Sequence, residues 1–565
     1  MHTNCGKPPL KPLRPWFAWL WAGMAILLLL ALSACRDAAP ASQALSPATA
    51  PASAETAVPA PLTATPAAGD PGAPLSPDAA PTAVPPTATP TPTATPRPPL
   101  ELQVPANLAA AAAEALAQLN QAATGWEWYL ALQDEPTPPE SENPGPATIR
   151  LVSSLDAQPP NLVRQAPLAL AVPFVTEWEE VSAEEAQTIL RDGHALVRIV
   201  PWAEMPRTHK ALRIDGRGPA DPAYPLQQSW RLQADAGLET AVAELLPRLQ
   251  AALPPEPLVH LAAVGDIMLD RSLGAALQRG DLAYPFVGVA AALRAADLTV
   301  GNLESALGDV GAPQPKRYPF RAPPEAAAAL ALAGFDLVSL ANNHGMDYGP
   351  EALLQALALL EAQGVATVGA GANAAAAYAP HIFEVNGLRL AFLGYVHVPV
   401  EYSGFDTASW TAGPTTPGLA WGDPAQIRAD VTAVAPQVDL VIVLLHSGHE
   451  YVAAPSAAQM AAARAAVEAG AHLVIGHHAH ILQGIEFYGE GVIVYGTGNF
   501  AFEIDGPPET AVYHIWLDRN GVREIALEPA IIQFGGQPRL AETWEAAAIR
   551  RQVYSLTRFL NLATY

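Results

Sequence analysis

Six strand-like apolar segments in the second half of this sequence are each followed at once by residues that can bind metal ions. The six motifs are 265–271, 301–304, 341–344, 446–451, 476–480 and 496–500. Seven of the 14 histidines of the chain lie in the loops or at the strand ends of this region. Because ligand sites of α/β sheets lie at the carboxyl ends of the strands, where loops converge, the motifs predict one shared site.

The residue types in these motifs indicate a divalent metal ion. Neutral imidazole together with carboxylate and amide oxygens suits Mn²⁺, Fe or Zn²⁺, and no soft thiolate is at hand because both cysteines lie within the first 35 residues. Asn302 and Glu304 are two residues apart, so on an extended strand end both face the same side. His478 and His480 have the same spacing, and a carboxylate such as Glu304 can bridge two cations.

The elements that must position these residues alternate along region 256–540. The predicted strands are 258–264, 298–301, 335–340, 438–445, 472–475 and 492–495. The predicted helices are 324–333, 350–363, 425–433 and 456–469. Asn-Gly pairs at 386–387 and 520–521 predict two hairpins. Mixed parallel and antiparallel strands with helices outside imply an α/β sandwich.

The motifs together resemble those of a known protein family. They read Gly-Asp-Ile-Met-Leu, Asn-Leu-Glu, Leu-Ala-Asn-Asn-His-Gly-Met-Asp-Tyr-Gly, His-x-Gly-x-Glu-Tyr, Gly-His-His-x-His and Gly-Thr-Gly-Asn-Phe. In order and spacing they resemble the CapA family of capsule (poly-γ-glutamate) synthesis proteins, which looks like a branch of the calcineurin-like metallophosphoesterases. The resemblance covers about half of the chain. It implies a four-layer αββα fold, with a metal site at the shared edge of two sheets.

The resemblance also implies roles for individual residues. The implied metal ligands are Asp266, Asn302, Glu304, Asn343, His446 and His478. For a hydrolysis reaction, His344 would offset negative charge on the substrate, and His480 or His449 would protonate the leaving group. Arg271 would bind an anionic substrate group through its planar guanidinium group. The sequence departs from the superfamily at Met268, where a histidine ligand is usual, so one of two metal positions lacks a ligand.

Other polar residues near the motifs receive ordinary interpretations. We expect Asn342 to be a turn residue. We expect His477 to contact the metal ligands rather than the metal ion itself. His260 and His397 read as core or loop histidines. Two tryptophans, Trp410 and Trp421, suit either a substrate groove or surface packing.

The first hundred residues predict export and a tether. A basic start, an apolar run at 16–34 and the sequence Leu-Ser-Ala-Cys35 resemble a bacterial lipoprotein signal peptide over 1–35, with lipidation of Cys35. The alternative is an uncleaved membrane helix, and both interpretations anchor the protein outside the cytoplasmic membrane. Region 36–99 is rich in Pro, Thr and Ala and is expected to be a disordered linker.

Two further regions flank the motif-bearing one. Region 100–255 reads as a small α/β domain, in which 210–230 is similar to part of a periplasmic solute-binding protein of the phosphate-binding type. The alternative is a structural domain without a ligand. Region 541–565 is expected to be a C-terminal helical tail.

Charge excludes one class of function and leaves two. Lys and Arg number 30 against 54 Asp and Glu, and the net charge of −24 nearly rules out a nucleic-acid-binding protein. The first remaining class is a metal-dependent hydrolase or transferase at the cell envelope, acting on a phosphoester or carboxylate substrate. The second is a protein that binds or exports an anionic polymer, such as poly-γ-glutamate, without breaking bonds.

Overall fold

The computed structural model describes residues 97–122, 124–133, 146–155, 159–398, 400–401, 403–503 and 506–562. The expected signal peptide with Cys35, and the expected linker up to residue 96, lie outside the described residues. These described residues all belong to one compact unit. Within the described ranges, no helix is both long enough and apolar enough to cross a membrane.

The first third of the described chain contains one large mixed sheet. The strands of this region, including two that lie outside the large sheet, are β1 (Pro99–Val104), β2 (Glu127–Leu132), β3 (Ala147–Ser154), β4 (Leu162–Pro173), β5 (Glu180–Val181), β6 (Arg198–Pro201), β7 (His209–Ala211), β8 (Arg213–Ile214) and β9 (Gln227–Ala234). Its helices are α1 (Ala109–Gln121), α2 (Ala183–Asp192) and α3 (Glu239–Ala252). The strand order is β2-β1-β3-β9-β4-β6, with β7 also paired to β4, while β5 and β8 pair separately.

Helix α3 continues through a proline, because Pro247 lies inside it and does not break it. Leu245 and Leu249 on either side are fully buried. Packing of this apolar face holds the helix together although Pro247 cannot donate a backbone hydrogen bond.

The second region supplies the remaining strands and helices. Its strands are β10 (Val259–Met268), β11 (Leu298–Leu303), β12 (Ala306–Leu307), β13 (Arg321–Ala322), β14 (Leu337–Ser339), β15 (Ala366–Val368), β16 (Ala370–Gly371), β17 (His381–Val385), β18 (Leu388–His397), β19 (Gly418–Leu419), β20 (Leu440–Ser447), β21 (Leu473–His477), β22 (Ile485–Tyr488), β23 (Gly491–Val494), β24 (Asn499–Phe502), β25 (Glu509–Asp518), β26 (Gly521–Ile532) and β27 (Pro538–Leu540). Its helices are α4 (Arg271–Gln278), α5 (Ala290–Arg294), α6 (Glu325–Ala333), α7 (Gly349–Ala362), α8 (Ala374–Ala377), α9 (Pro424–Val434), α10 (Ala457–Glu468) and α11 (Thr543–Leu560).

The two large sheets in this region both contain parallel strands. The eight-stranded sheet has the order β15-β14-β11-β10-β25-β26-β27, with β24 also paired to β10, and the six-stranded sheet has the order β17-β18-β20-β21-β23-β22. Both predicted hairpins are present, β17–β18 around Asn386-Gly387 and β25–β26 around Asn520-Gly521. The chain is therefore a mixed α/β protein, as the sequence predicted.

Three apolar clusters hold these sheets and helices together. One cluster joins the two sheets, with Leu261 of β10 and Val300 of β11 packed among Phe392 of β18 and Ile442 of β20. The second covers the other side of the eight-stranded sheet with α4, α6 and α7. The third covers the other side of the six-stranded sheet with α9 and α10.

Strand β10 is longer than the sequence predicted. An end at Val264 was expected, but β10 continues through Met268, so Asp266 lies within a strand rather than in the following loop. Asp266 is paired with Asn302 of β11 and with Asn499 of β24, and the register with β11 shifts between Ala263 and Asp266. Gly265 and Asp266 looked like loop residues because a pairing partner more than 200 residues away, β24, leaves no local signal.

Helix α11 is part of the core. The sequence predicted a helix in this tail, and Ile549, Val553 and Tyr554 of α11 are buried in the cluster that joins the two sheets. Phe174, just after β4, packs in the same cluster and contacts Tyr554 edge to face. The domain boundaries at 255 and 540 remain predictions.

Candidate metal centre

The predicted metal ligands come from the carboxyl ends of strands in both sheets. Asp266 and Asn302 belong to β10 and β11 of the eight-stranded sheet, and Glu304 follows β11 directly. His446 belongs to β20 of the six-stranded sheet, and His478 follows β21 directly. All five side chains are buried. The apolar cluster between the sheets thus brings these five residues to one place.

A glycine in the first motif allows strand β10 to lie close to the loop that precedes β24. A Cβ atom on Gly265 would lie 2.0 Å from the carbonyl oxygen of Gly498. The adjacent Asp266 N–H donates to that same carbonyl at 2.9 Å. Side chains longer than glycine at 265 would push β10 away from the loop before β24, so Gly265 fixes the position of Asp266.

Asp266 is held as a carboxylate by neighbouring donors. Asn302 Nδ2 donates to its Oδ1 at 2.9 Å, and the backbone N–H of His478 donates to its Oδ2 at 3.2 Å. His480 Nδ1 lies 3.4 Å from Oδ2. Burial alone would raise the pKa of Asp266, but the hydrogen bonds from His480 and Asn302 lower it below its usual value.

Glu304 lacks such donors. Its side chain is fully buried, yet neither carboxylate oxygen has a hydrogen-bond partner among the described residues. His446 Nε2 and His480 Nε2 lie 3.7 Å and 3.6 Å from its Oε1. Burial, and then the charge of Asp266, raise the pKa of Glu304 well above its usual value. A buried carboxylate without donors is costly unless a cation neutralises it, so this donor set fits a metal ion.

Glu304 also links two of three potential ligand groups. Side-chain atoms within 4.8 Å of one another form the sets Asp266–Glu304–His480, Glu304–His446–His478 and Glu450–His478–His480. Glu304, His478 and His480 are each shared by two of these sets, so the three sets form one continuous cluster that could hold a metal ion.

The histidines differ in charge. Burial lowers the pKa of His446 well below its usual value, and burial together with His480 lowers the pKa of His478 to about 3. Both are therefore neutral imidazoles, the form that binds metal ions. Burial also acts to lower the pKa of His480, but Glu304 and Asp266 raise it to about 10. The protonated ring of His480 carries a positive charge that partly neutralises Asp266 and Glu304, as a bound cation would.

Asn343 and His344 complete this side of the centre. Asn343 Oδ1 accepts a hydrogen bond from His446 Nε2 at 2.8 Å. His344 Nδ1 lies 2.6 Å from Asp347 Oδ2, and its ring stacks on Phe320 with centroids 4.3 Å apart. The predicted catalytic residue His344 is thus fixed beside the predicted ligand Asn343.

Backbone strain is concentrated at the centre. Four non-glycine residues here have left-handed backbone angles: His478 (φ 84°), His480 (φ 55°), Arg271 (φ 51°) and Tyr451 (φ 57°). Such conformations cost about 1–3 kcal/mol each and persist where surrounding structure imposes them, often at functional sites. Here the strain places His478 and His480 against the two carboxylates.

A cavity of about 440 Å³ opens next to the centre. Asn343, His344 and His480 line its inner part, and Arg271 and Arg317 also line it. Arg271 donates to the carbonyl of Glu503 at 2.7 Å and lies over the Phe320 ring at 5.2 Å. Arg271 therefore lies in the cavity wall and not in the buried ligand cluster.

His449, the other candidate proton donor, has a different location. It is exposed and does not line the cavity. The electrostatic interaction between His449 and His478 helps to lower the pKa of His478. The structure thus places His480, but not His449, against both Asp266 and Glu304.

Asn342 does more than form a turn. Its Nδ2 donates to Asn302 Oδ1 at 3.1 Å and to the carbonyl of Leu303 at 2.8 Å, and its Oδ1 accepts from the backbone N–H of His344 at 3.0 Å. Asn302 Nδ2 meanwhile donates to Asp266, so both ends of the Asn302 amide are engaged within the protein.

The remaining histidines and tryptophans lie around the centre or away from it. His477 Nε2 lies 3.2 Å from the carbonyl of Val264, behind the ligands. His260 is distant from the motifs, 2.9 Å from His514 and stacked on Trp516. His397 packs edge to face on Trp421. Trp410 lies under the ammonium group of Lys316.

Sequence reasoning missed several polar residues of the centre. They are Lys316, Asp347, Glu401, Glu450 and Asn499. Asp347, Glu450 and Asn499 lie inside the quoted motifs, so their carboxylates and amide were available as a signal. Lys316 and Glu401 lie in segments without a motif, and only the tertiary structure brings them in.

Comparison with known proteins shows what this chain is similar to. Residues 260–504 match the family described as "Bacterial capsule synthesis protein PGA_cap". The chain is 31% identical over 303 residues to the "Capsule biosynthesis protein CapA" of Bacillus anthracis, covering 52% of this chain and 72% of that protein.

Two further relatives extend the comparison. The chain is 31% identical over 276 residues to the "PGA biosynthesis protein CapA" of Bacillus subtilis, covering 47% of this chain and 70% of that protein. It is 32% identical over 223 residues to a "Probable polyglutamine synthesis accessory protein" of Mycobacterium tuberculosis, covering 38% of this chain and 57% of that protein. This chain belongs to the CapA family of bacterial capsule synthesis proteins.

Proposed function

We propose that this protein acts at the cell envelope in the synthesis or export of capsule or poly-γ-glutamate, through a divalent-metal site that performs hydrolysis. Membership of the CapA family supports the biological role. The observation that carries the metal site is Glu304, fully buried without a donor and close to two histidines and Asp266.

The proposed architecture is a four-layer αββα sandwich of the metallophosphoesterase type, preceded by a smaller α/β domain and a disordered linker. The apolar cluster between the two sheets and the helix-covered outer faces support the layers. The separate large sheet of β1, β2, β3, β4, β6, β7 and β9 supports the preceding domain.

We propose Mn²⁺, Fe or Zn²⁺ as the ion, with ligands from Asp266, Glu304, Asn343, His446 and His478. Asn302 lies beside Asp266 and belongs to the same candidate set. His480 contacts both carboxylates, which supports a ligand role for it as an alternative to the proton-donor role.

The chain's own residues define the chemistry. When bound, a divalent cation supplies charge that activates water and offsets negative charge on the substrate. Asn343 presents its side-chain oxygen to the centre, and His344 at the cavity wall stabilises negative charge on the substrate. His480 or His449 supplies a proton to the leaving group. Arg271 and Arg317 hold an anionic group, a carboxylate or a phosphoester.

The cavity also favours a second candidate function, the binding or export of an anionic polymer without bond cleavage. Arg271 and Arg317 offer cationic contacts in the wall of this cavity, which Glu401 and Glu450 also line. Long-range attraction of a polyanion by the whole protein is excluded, so contact would depend on these side chains and on a bound cation.

We further propose that the protein is extracytoplasmic and anchored to the membrane as a lipoprotein through Cys35. The supporting observation is the sequence of region 1–35 alone.

The metal site is tested with Glu304→Gln and a matched control, Glu524→Gln. Glu524 is also a buried carboxylate with a raised pKa, but it accepts hydrogen bonds from Trp202 and from the Ala211 backbone. After expression with Mn, Fe and Zn supplied, wild type and Glu524→Gln should contain metal and Glu304→Gln should contain much less. Wild type without metal, or equal metal in all three proteins, would overturn the proposed site.

The reaction is tested on the same proteins with a panel of phosphoesters and with poly-γ-glutamate. Turnover that disappears in Glu304→Gln but not in Glu524→Gln supports hydrolysis. Binding of poly-γ-glutamate without turnover by metal-loaded wild type would favour the second candidate function.

A further inference from the structure

Lysine is rare in this chain, and both lysines in its described part are buried. The sequence contains four lysines against 26 arginines, and Lys210 and Lys316 are the two that the structure describes. The side chain of Lys316 is 1% exposed. Its ammonium group donates a hydrogen bond to the carbonyl oxygen of Asn343 and forms ion pairs with Asp347 Oδ1 at 2.9 Å and Glu401 Oε1 at 2.8 Å. One ammonium group thus contacts three oxygen atoms.

Each of the two carboxylates bound to Lys316 orients one residue of the Asn-His pair. Glu401 Oε1 accepts from Asn343 Nδ2 at 3.3 Å, which leaves Asn343 Oδ1 facing His446 Nε2 at 2.8 Å. Asp347 Oδ2 accepts from His344 Nδ1 at 2.6 Å, which leaves Nε2 as the free nitrogen of a ring that lines the cavity.

The surroundings of Lys316 strengthen the contacts of its ammonium group with Asp347 and Glu401. Its ammonium lies over the rings of Trp410 and Phe405, at 5.1 Å and 5.4 Å from their centroids. Buried charge-assisted hydrogen bonds are stronger than exposed ones. An ammonium donates along three divergent directions, whereas a guanidinium is a planar fork, so arginine could not reach the same three acceptors.

We propose that Lys316 is a positioning residue, which sets the side-chain orientation of Asn343 through Glu401 and that of His344 through Asp347. The inference rests on the metal site proposed above, because the orientation of Asn343 matters only if its oxygen faces a cation. Removing a residue that orients a metal ligand typically weakens metal affinity about 10- to 100-fold.

The competing explanation is that Lys316 only neutralises two buried carboxylates and so stabilises the fold. Lys210 provides a matched control for this role. Its side chain is 5% exposed, it pairs with Glu179, and it lies 4.2 Å from the centroid of the Tyr554 ring. None of the predicted metal ligands contacts Lys210 in the described structure.

The experiment compares wild type, Lys316→Met and Lys210→Met. Each protein is the mature chain expected after export, and bound metal is removed from it first. Co²⁺ is titrated into each protein, and its visible absorption spectrum reports the ligand set. Thermal unfolding of the metal-free proteins reports stability. We expect Lys316→Met to bind Co²⁺ about 10- to 100-fold more weakly and with an altered spectrum, and Lys210→Met to bind as wild type does although it is also destabilised.

Each alternative result has a defined meaning. Wild-type affinity and spectrum in Lys316→Met would overturn the positioning role and leave the metal site standing. An equal loss in Lys210→Met would assign the effect to stability and would also overturn it. Failure of wild type to bind any divalent ion would overturn the proposed site together with the inference.

A second variant keeps the test decisive if Lys316→Met does not fold. Glu401→Ala retains Lys316 and its ion pair with Asp347 but removes the acceptor of Asn343 Nδ2. It should also bind Co²⁺ more weakly, about 10-fold or more, with a changed spectrum. Unchanged binding in this variant would contradict the step from Glu401 to Asn343.

Discussion

His480 Nε2 lies 3.6 Å from Glu304 Oε1, although Glu304 follows a strand of the eight-stranded sheet and His480 follows a strand of the six-stranded sheet. The same imidazole lies 3.4 Å from Asp266 through its other nitrogen. One protonated ring thus stands between two carboxylates. In metal-free protein this contact ties the two sheets together electrostatically.

The first prediction concerns pH in metal-free protein. The pKa of His480 rises from an unfolded value of 6.5 to about 10 in the folded state. Because the folded state holds this proton more tightly, its contribution to stability is complete below pH 6.5 and is lost as the pH rises toward 10. The difference in the free energy of unfolding between wild type and His480→Gln should therefore shrink from pH 6 to pH 9.5. Chemical denaturation in a chelator-containing buffer measures it, and a constant or growing difference would contradict the assignment.

The second prediction concerns Gly265. Gly265→Ala would place a Cβ 2.0 Å from the Gly498 carbonyl, so β10 must shift away and take Asp266 with it. We expect a loss of about 1–3 kcal/mol in stability and a loss of metal. Gly218→Ala is the control, because a Cβ there would meet nothing within 4 Å. Equal behaviour of the two variants in denaturant melts and metal analysis would mean that Gly265 does not set the position of Asp266.

The third prediction concerns the cavity arginines. Arg317 is exposed and lines the cavity, whereas Arg279, at the end of α4, is exposed and does not line it. We expect Arg317→Ala to weaken binding of poly-γ-glutamate by metal-loaded protein about 2- to 5-fold at low salt. Arg279→Ala should bind as wild type does. Calorimetric titration compares them, and identical affinities would remove the cavity from the polymer-binding surface.

The fourth prediction concerns α11. Ile549 is 1% exposed within the cluster that joins the sheets, and Trp544 on the same helix is 69% exposed. Ile549→Ala should therefore cost about 2–5 kcal/mol, while Trp544→Ala should change stability by less than about 0.5 kcal/mol. Urea denaturation measures both. A small effect of Ile549→Ala would contradict the packing of α11 in the cluster that joins the two sheets.

The fifth prediction concerns the membrane anchor. Cys35→Ser removes the proposed lipidation site, so the protein should leave the membrane fraction or remain as an uncut precursor. Fractionation and mass spectrometry of the N-terminus check this. A mature N-terminus at another residue would contradict the lipoprotein interpretation.

Sequence alone predicted the alternation of strands and helices, both hairpins and the neighbourhood of the site, because periodicity, Asn-Gly turns and polar strand ends are local patterns. It could not predict that β10 continues through Asp266, since the pairing partner is β24. Nor could it predict Lys316 and Glu401, which lie in segments without a motif and reach Asn343 only in the folded chain. The contact of His480 with both Asp266 and Glu304 could not be predicted either, because it depends on how the two sheets pack.

The candidate ligands are divided between two sheets, and this division has a consequence for when an ion can be captured. Two of the three ligand groups need both sheets, because Glu304 comes from one sheet and His446, His478 and His480 come from the other; only Glu450, His478 and His480 all follow strands of the six-stranded sheet. An unfolded chain therefore holds neither of the two groups that contain Glu304. A cation bound by Glu304, as proposed above, would be captured only after the sheets dock, so its identity would depend on which metals are present where folding is completed, rather than where the polypeptide is made.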